Sequence, residues 1–95
     1  MKRIQRKRTK GWKMPPDTVY VGRPTKWGNP YKVHDPPYLE TILDVIGEYR
    51  RWLCVQLFRD PHFLDPLRGK DLACWCRLDQ PCHADVLLKE MELRR

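Results

Sequence analysis

The chain has 95 residues, 41% hydrophobic and 33% charged, with 19 lysines and arginines against 12 aspartates and glutamates and a formal net charge of +7. This is room for one small domain, 1–95, with four tryptophans to help build a core and no apolar run long enough to cross a bilayer. No apolar stretch follows the basic N-terminus, so nothing resembles a secretory leader and a cytoplasmic protein with no membrane partner and reduced cysteines is expected.

The charge is uneven. Lys2, Arg3, Arg6, Lys7, Arg8, Lys10 and Lys13 all precede the first acid, Asp17, and the remainder of the chain balances twelve bases against twelve acids. Steering of a polyanion therefore belongs to a basic N-terminal arm, 1–13, in which Trp12 argues for more than a solvated tail. Ile4 to Thr9 alternates weakly. Thr18 to Val21 is β-branched and aromatic, enters after Pro15-Pro16-Asp17 and stops at Gly22, which predicts a strand. Residues 22–37 carry turn signals and no helical period, so a long loop is expected. Asp35-Pro36-Pro37 reads as a helix cap with proline in the first turn. Leu39, Ile42, Leu43, Ile46, Leu53 and Leu57 then form an apolar stripe, with Cys54 in the core, ending before Pro61. A short connection with one turn after Asp65-Pro66 leads to a second strand, Leu72 to Cys76. Pro81 begins a last helix that buries Ala84, Leu87, Leu88 and Met91 and carries Arg94 and Arg95 at its C-terminal end.

This order predicts a small single-domain α/β fold: a two- or three-stranded sheet with a parallel βαβ unit and two helices. Parallel strands end on the same sheet edge, where open α/β sheets bind ligands, so the loop after Val21 should lie beside the turn after Cys76. So small a sheet leaves edges open, and self-association into a homo-oligomer is an expectation of that topology.

The first half of the expected site is Gly22-Arg-Pro-Thr-Lys-Trp-Gly-Asn-Pro30. Glycines let backbone amides approach a ligand, Arg23 and Lys26 add charge, Trp27 offers a stacking face and Asn29 both donates and accepts. With the arm, this gives a ligand-binding set of Arg8, Lys10, Trp12, Gly22, Arg23, Trp27, Gly28 and Asn29. The bland alternative is a structural loop with Trp27 in the core.

The second half is Cys74-Trp-Cys76 followed by Cys82-His83. On an extended strand Cys74 and Cys76 share one face and Trp75 takes the other, while Cys82 and His83 open a helix whose dipole would lower the Cys82 pKa. Three readings stay open. Cys74, Cys76, Cys82 and His83 could hold zinc as cofactor, although adjacent residues 82 and 83 seldom reach one metal. The thiols could be inert and buried. Or Cys82 and His83 could be a catalytic pair with Asp85 orienting the imidazole. A zinc deaminase is excluded, because position 85 is Asp85 rather than cysteine and no His-x-Glu precedes the cluster.

Arg8-Thr-Lys-Gly-Trp12, Gly22 to Pro30, Leu67 to Cys76 and Pro81-Cys-His-Ala-Asp-Val86 together resemble domain of unknown function 4326, a family of small bacterial and phage proteins. The resemblance implies that the basic arm belongs to the domain, and it supplies no activity. The site residues point to a phosphate-bearing ligand, a nucleotide-like small molecule or nucleic acid, at the C-terminal sheet edge; the rival is a zinc-stabilised interaction module without catalysis.

Overall fold

The structure, a computed structural model, describes residues 1–31 and 41–93. Three short strands, β1 (Arg3–Gln5), β2 (Thr18–Tyr20) and β3 (Asp71–Cys74), form one sheet in the order β1-β3-β2. Both pairings are parallel, with Ile4 opposite Ala73 and Val19 opposite Leu72. Central β3 has Leu72, Ala73 and Cys74 all buried, as expected of a parallel strand covered on both faces. Its C-terminal carbonyls are taken from either side: Arg6 N–H donates to Cys74 at 2.7 Å and Val21 N–H to Ala73 at 2.9 Å. The expected small α/β domain with a parallel βαβ unit is therefore present, and the basic arm contributes its third strand.

Helix α1 (Ile42–Arg59) is capped by Thr41, whose hydroxyl accepts from Asp44 N–H while the Asp44 carboxylate accepts from Thr41 N–H. The cap expected at Asp35-Pro36-Pro37, and Leu39 of the expected stripe, lie outside the described residues. The buried face of α1 is Val45, Tyr49, Leu53 and Leu57, a repeat of four. The expected stripe is thus out of phase at its start: Ile42 and Leu43 are exposed, while Ile46 packs against the core. Cys54, expected in the core, is exposed, because one residue past Leu53 turns about 100° away from the buried face.

Past α1, Phe63, Leu64 and Leu67 fold under the sheet around the 3₁₀ turn Asp65–Leu67, and Gly69 takes a positive φ of 76° to enter β3. Helix α2 (His83–Leu93) buries Ala84, Val86, Leu87 and Met91, with Leu88 half-buried. Arg94 and Arg95 lie outside the described residues. The strand expected to reach Cys76 stops at Cys74, and Trp75 and Cys76 lie in the bend that follows. Among the described residues no helix is long and apolar enough to cross a membrane.

Candidate functional site

Parallel pairing carries the ends of β2 and β3 to one edge, and a cavity of about 440 Å³ opens there. One wall is the segment after β2, with Gly22, Arg23, Asn29 and Tyr31. The other is the β3–α2 corner, with Cys74, Cys76, Cys82 and His83, and Ile42, Val45 and Ile46 of α1 also face it. The two sequence-distant halves of the expected site thus share a cavity.

The first wall holds itself in shape. Arg23 Nε donates to the Asn29 carbonyl at 2.7 Å and Nη2 to that of Tyr31 at 2.8 Å, and Asn29 Oδ1 accepts from Tyr31 N–H at 2.9 Å. Arg23, expected to hold phosphate, therefore spends these donors on its own loop. Asn29 is buried at the cavity. Gly28 lets the loop close, since a Cβ there would stand 3.1 Å from the Arg23 backbone, and a Cβ at buried Gly22 would run into the Tyr20 ring.

Trp27 does not line this cavity. Its indole N–H donates to the Phe63 carbonyl at 3.0 Å, its ring packs 6.5 Å from that of Phe63, and its own carbonyl accepts from the buried Tyr49 hydroxyl at 2.6 Å. The stacking role expected for it gives way to the structural alternative. The tryptophan at the cavity is Trp75, 39% exposed, with the guanidinium groups of Arg6 and Arg8 at 4.9 and 4.7 Å from its ring. Arg6 also lies 4.7 Å from the Tyr20 ring, so Tyr20, Arg6, Trp75 and Arg8 make one cationic and aromatic surface. Arg8 is exposed at this surface. Lys10 is exposed and Trp12 half-buried, on the turn closed by Trp12 N–H donating to the Thr9 carbonyl.

In the second wall Cys74 Sγ and Cys82 Sγ are 3.0 Å apart, and the sulfurs of Cys74, Cys76 and Cys82 all lie within 4.8 Å of one another. All three are free thiols, a group that could hold a metal ion. His83 is buried. Its Nε2 is 2.8 Å from the Val21 carbonyl, which can only accept, so Nε2 carries the proton and Nδ1, 3.6 Å from Cys82 Sγ, presents a lone pair. Burial lowers the His83 pKa and keeps the ring neutral.

Two expectations about this corner are corrected. The low thiol pKa belongs to Cys76, held far below the ordinary range because the Cys74 and Cys82 thiols can donate to its sulfur. Cys82, only 2% exposed, is pushed up by the same sharing with Cys74 and Cys76 and by burial, which outweigh the helix start. Asp85 does not orient the imidazole, which Val21 does. Its Oδ2 caps α2 by accepting from Cys82 N–H at 3.2 Å and pairs with Arg3 Nη1 at 3.0 Å. A catalytic trio of Cys82, His83 and Asp85 is not assembled.

Arg3 is the residue that sequence reasoning passed over. Its guanidinium also donates to the carbonyls of Leu78 at 2.7 Å and Arg77 at 3.2 Å, so one buried side chain from β1 fastens the whole span between Cys76 and Cys82. Nothing in the arm's composition separates Arg3 from its neighbours. Trp75, by contrast, had a signal in its position between two cysteines of the cluster.

The chain matches the family described as Domain of unknown function (DUF4326) across residues 4–93. It belongs to that family. The resemblance carried by Trp27-Gly-Asn-Pro30, Cys74-Trp-Cys76 and Pro81-Cys-His83 therefore holds, and the match takes in most of the basic arm. No curated protein and no solved structure matches the chain.

Proposed function

We propose that the protein binds a phosphate-bearing, base-containing ligand, a nucleotide or a nucleic-acid strand, in and beside the cavity at the C-terminal edge of its sheet. One observation carries this reading: the cavity is rimmed by an exposed tryptophan with two arginines on its ring, Arg6 and Arg8 on Trp75, next to the polar wall of Asn29. A base can replace a guanidinium group on the indole face, and the arginine it displaces can take the phosphate, which combines the stacking and charge that single-stranded nucleic-acid sites use. The reading is supported by position as well: the three parallel strands end beside this surface, and parallel sheets commonly bind ligands at that edge.

The test is calorimetric titration of the full chain with a nucleoside, its monophosphate, inorganic phosphate and a short single-stranded oligonucleotide, read alongside tryptophan fluorescence. The monophosphate or the oligonucleotide should bind and change the emission, with the nucleoside and phosphate weaker. Tighter binding of the oligonucleotide, with a salt slope of roughly −0.7 per phosphate contacted, identifies a strand rather than a free nucleotide. Absence of binding by both the monophosphate and the oligonucleotide overturns the reading.

A further inference from the structure

The three convergent sulfurs and the imidazole beside them ask for a separate explanation. Three thiols packed together make poor use of a protein interior, since each S–H is only a weak donor and Cys76 is half-exposed at the cavity wall. Their spacing suits a metal better. With Zn–S bonds of about 2.3 Å, a tetrahedral ion sets its sulfurs about 3.8 Å apart; Cys74 and Cys82 stand 3.0 Å apart and all three sulfurs lie within 4.8 Å of one another, so small side-chain turns bring them to that spacing.

His83 lies outside the trio whose ligand atoms all come within 4.8 Å of one another, but it meets the spacing toward one of the sulfurs and would complete the set by a turn of its ring toward the other two. A nitrogen about 2.0 Å from zinc sits about 3.5 Å from a neighbouring tetrahedral sulfur, against the 3.6 Å between His83 Nδ1 and Cys82 Sγ. Metal-bound histidines usually donate their other ring N–H to a carboxylate or backbone carbonyl, which fixes tautomer and orientation, and the Val21 carbonyl does this for His83. Cys82 is the last residue before α2 and His83 the first within it, and at this junction the two consecutive side chains stand 3.6 Å apart at Sγ and Nδ1. The frame is built in advance. Cys74 is fixed by its pairing with Gln5 on β1, Cys82 N–H by Asp85, and the intervening span by Arg3.

We propose that Cys74, Cys76, Cys82 and His83 Nδ1 form a four-coordinate site for a thiophilic divalent cation of the zinc class, which ties the end of β2, through Val21, to the β3–α2 corner. Binding displaces the remaining thiol protons to solvent and leaves no vertex for substrate, so the ion organises the cavity wall rather than carrying out chemistry. The inference goes beyond the ligand reading and does not depend on it.

The experiment uses the full chain, purified without added metal or chelator and kept reduced. Elemental analysis should find one zinc per chain, and X-ray absorption at the zinc edge should show three sulfurs and one nitrogen. Cobalt substitution should give thiolate charge-transfer bands and a tetrahedral visible spectrum that exogenous imidazole or azide leaves unchanged. Cys76→Ser should lose stoichiometric metal and Cys54→Ser should keep it; if Cys76→Ser does not fold, absorption on the unaltered chain decides. Reduced protein that neither carries zinc nor gives charge-transfer bands with cobalt overturns the site. Three sulfurs with an exchangeable oxygen ligand, and a cobalt spectrum unmoved by His83→Gln, overturn the imidazole as fourth donor. Ligand titration is a separate readout, so failure of the pocket and failure of the metal site are distinguishable.

Discussion

The two segments that wall the cavity, Gly22 to Tyr31 and Trp75 to Pro81, are held in different ways. The first locks from within: Arg23 and Asn29 tie its own carbonyls and amides, and Trp27 anchors it on Phe63 and Tyr49. The second has in Arg3 an anchor from the far edge strand, and its tryptophan is left at the surface between arginines. A self-locked loop keeps its shape when remote residues change. A borrowed anchor makes the thiol corner depend on the first strand of the chain, so the basic arm is structural at Arg3 and available for binding at Arg6 and Arg8.

The hardest test of this contrast is Arg3→Ala. It removes one ion pair and two carbonyl partners from a side chain only 9% exposed. The Asp85 side of the pair is about half exposed and partly screened, so most of the loss comes from the stranded carbonyls, and about 3 kcal/mol of unfolding free energy should disappear in a denaturant titration. Arg3→Lys should recover only part of it, because an ammonium cannot span the three acceptors. If Arg3→Ala costs less than about 1 kcal/mol, the second segment is held by something else.

Exchanging the tryptophans sharpens the comparison. Trp27→Phe keeps a ring against Phe63 but leaves the Phe63 carbonyl without its donor, and should cost about 1–2 kcal/mol while ligand affinity changes little. Trp75→Ala should cost about 1 kcal/mol or less in stability, since the ring is 39% exposed, yet remove most nucleotide or oligonucleotide binding. Thermal melts and titrations on the same two proteins would reverse the assignment if Trp27→Phe lost the ligand and Trp75→Ala lost the fold.

Residue pattern carried some of this and not the rest. The parallel arrangement of β2 and β3 follows from a strand, a long helix and a second apolar strand, and it predicts that the Gly22 segment meets the thiols. β1 was illegible because it is a three-residue edge strand with one apolar side chain, Ile4, among arginines and a glutamine. Alternation places Trp75 opposite the cysteines but cannot say which side is core, least of all where the strand has already ended at Cys74. The roles of Trp27 and Arg3 rest on partners 36 and 75 residues away, which no local periodicity encodes.

The smallest expected effect tests the phase of α1, on which the first segment's anchor depends. Tyr49 reaches the Trp27 carbonyl only if the helix turns Val45, Tyr49, Leu53 and Leu57 inward, and that rotation puts Cys54 in solvent. Cys54→Ser should therefore change stability by no more than about 0.5 kcal/mol in a denaturant titration. A loss of about 2 kcal/mol would mean that Cys54 is packed. The helix would then be turned by about a quarter, the Tyr49 hydroxyl would face away from Trp27, and the self-locked segment would lack the contact that fastens it to the helix.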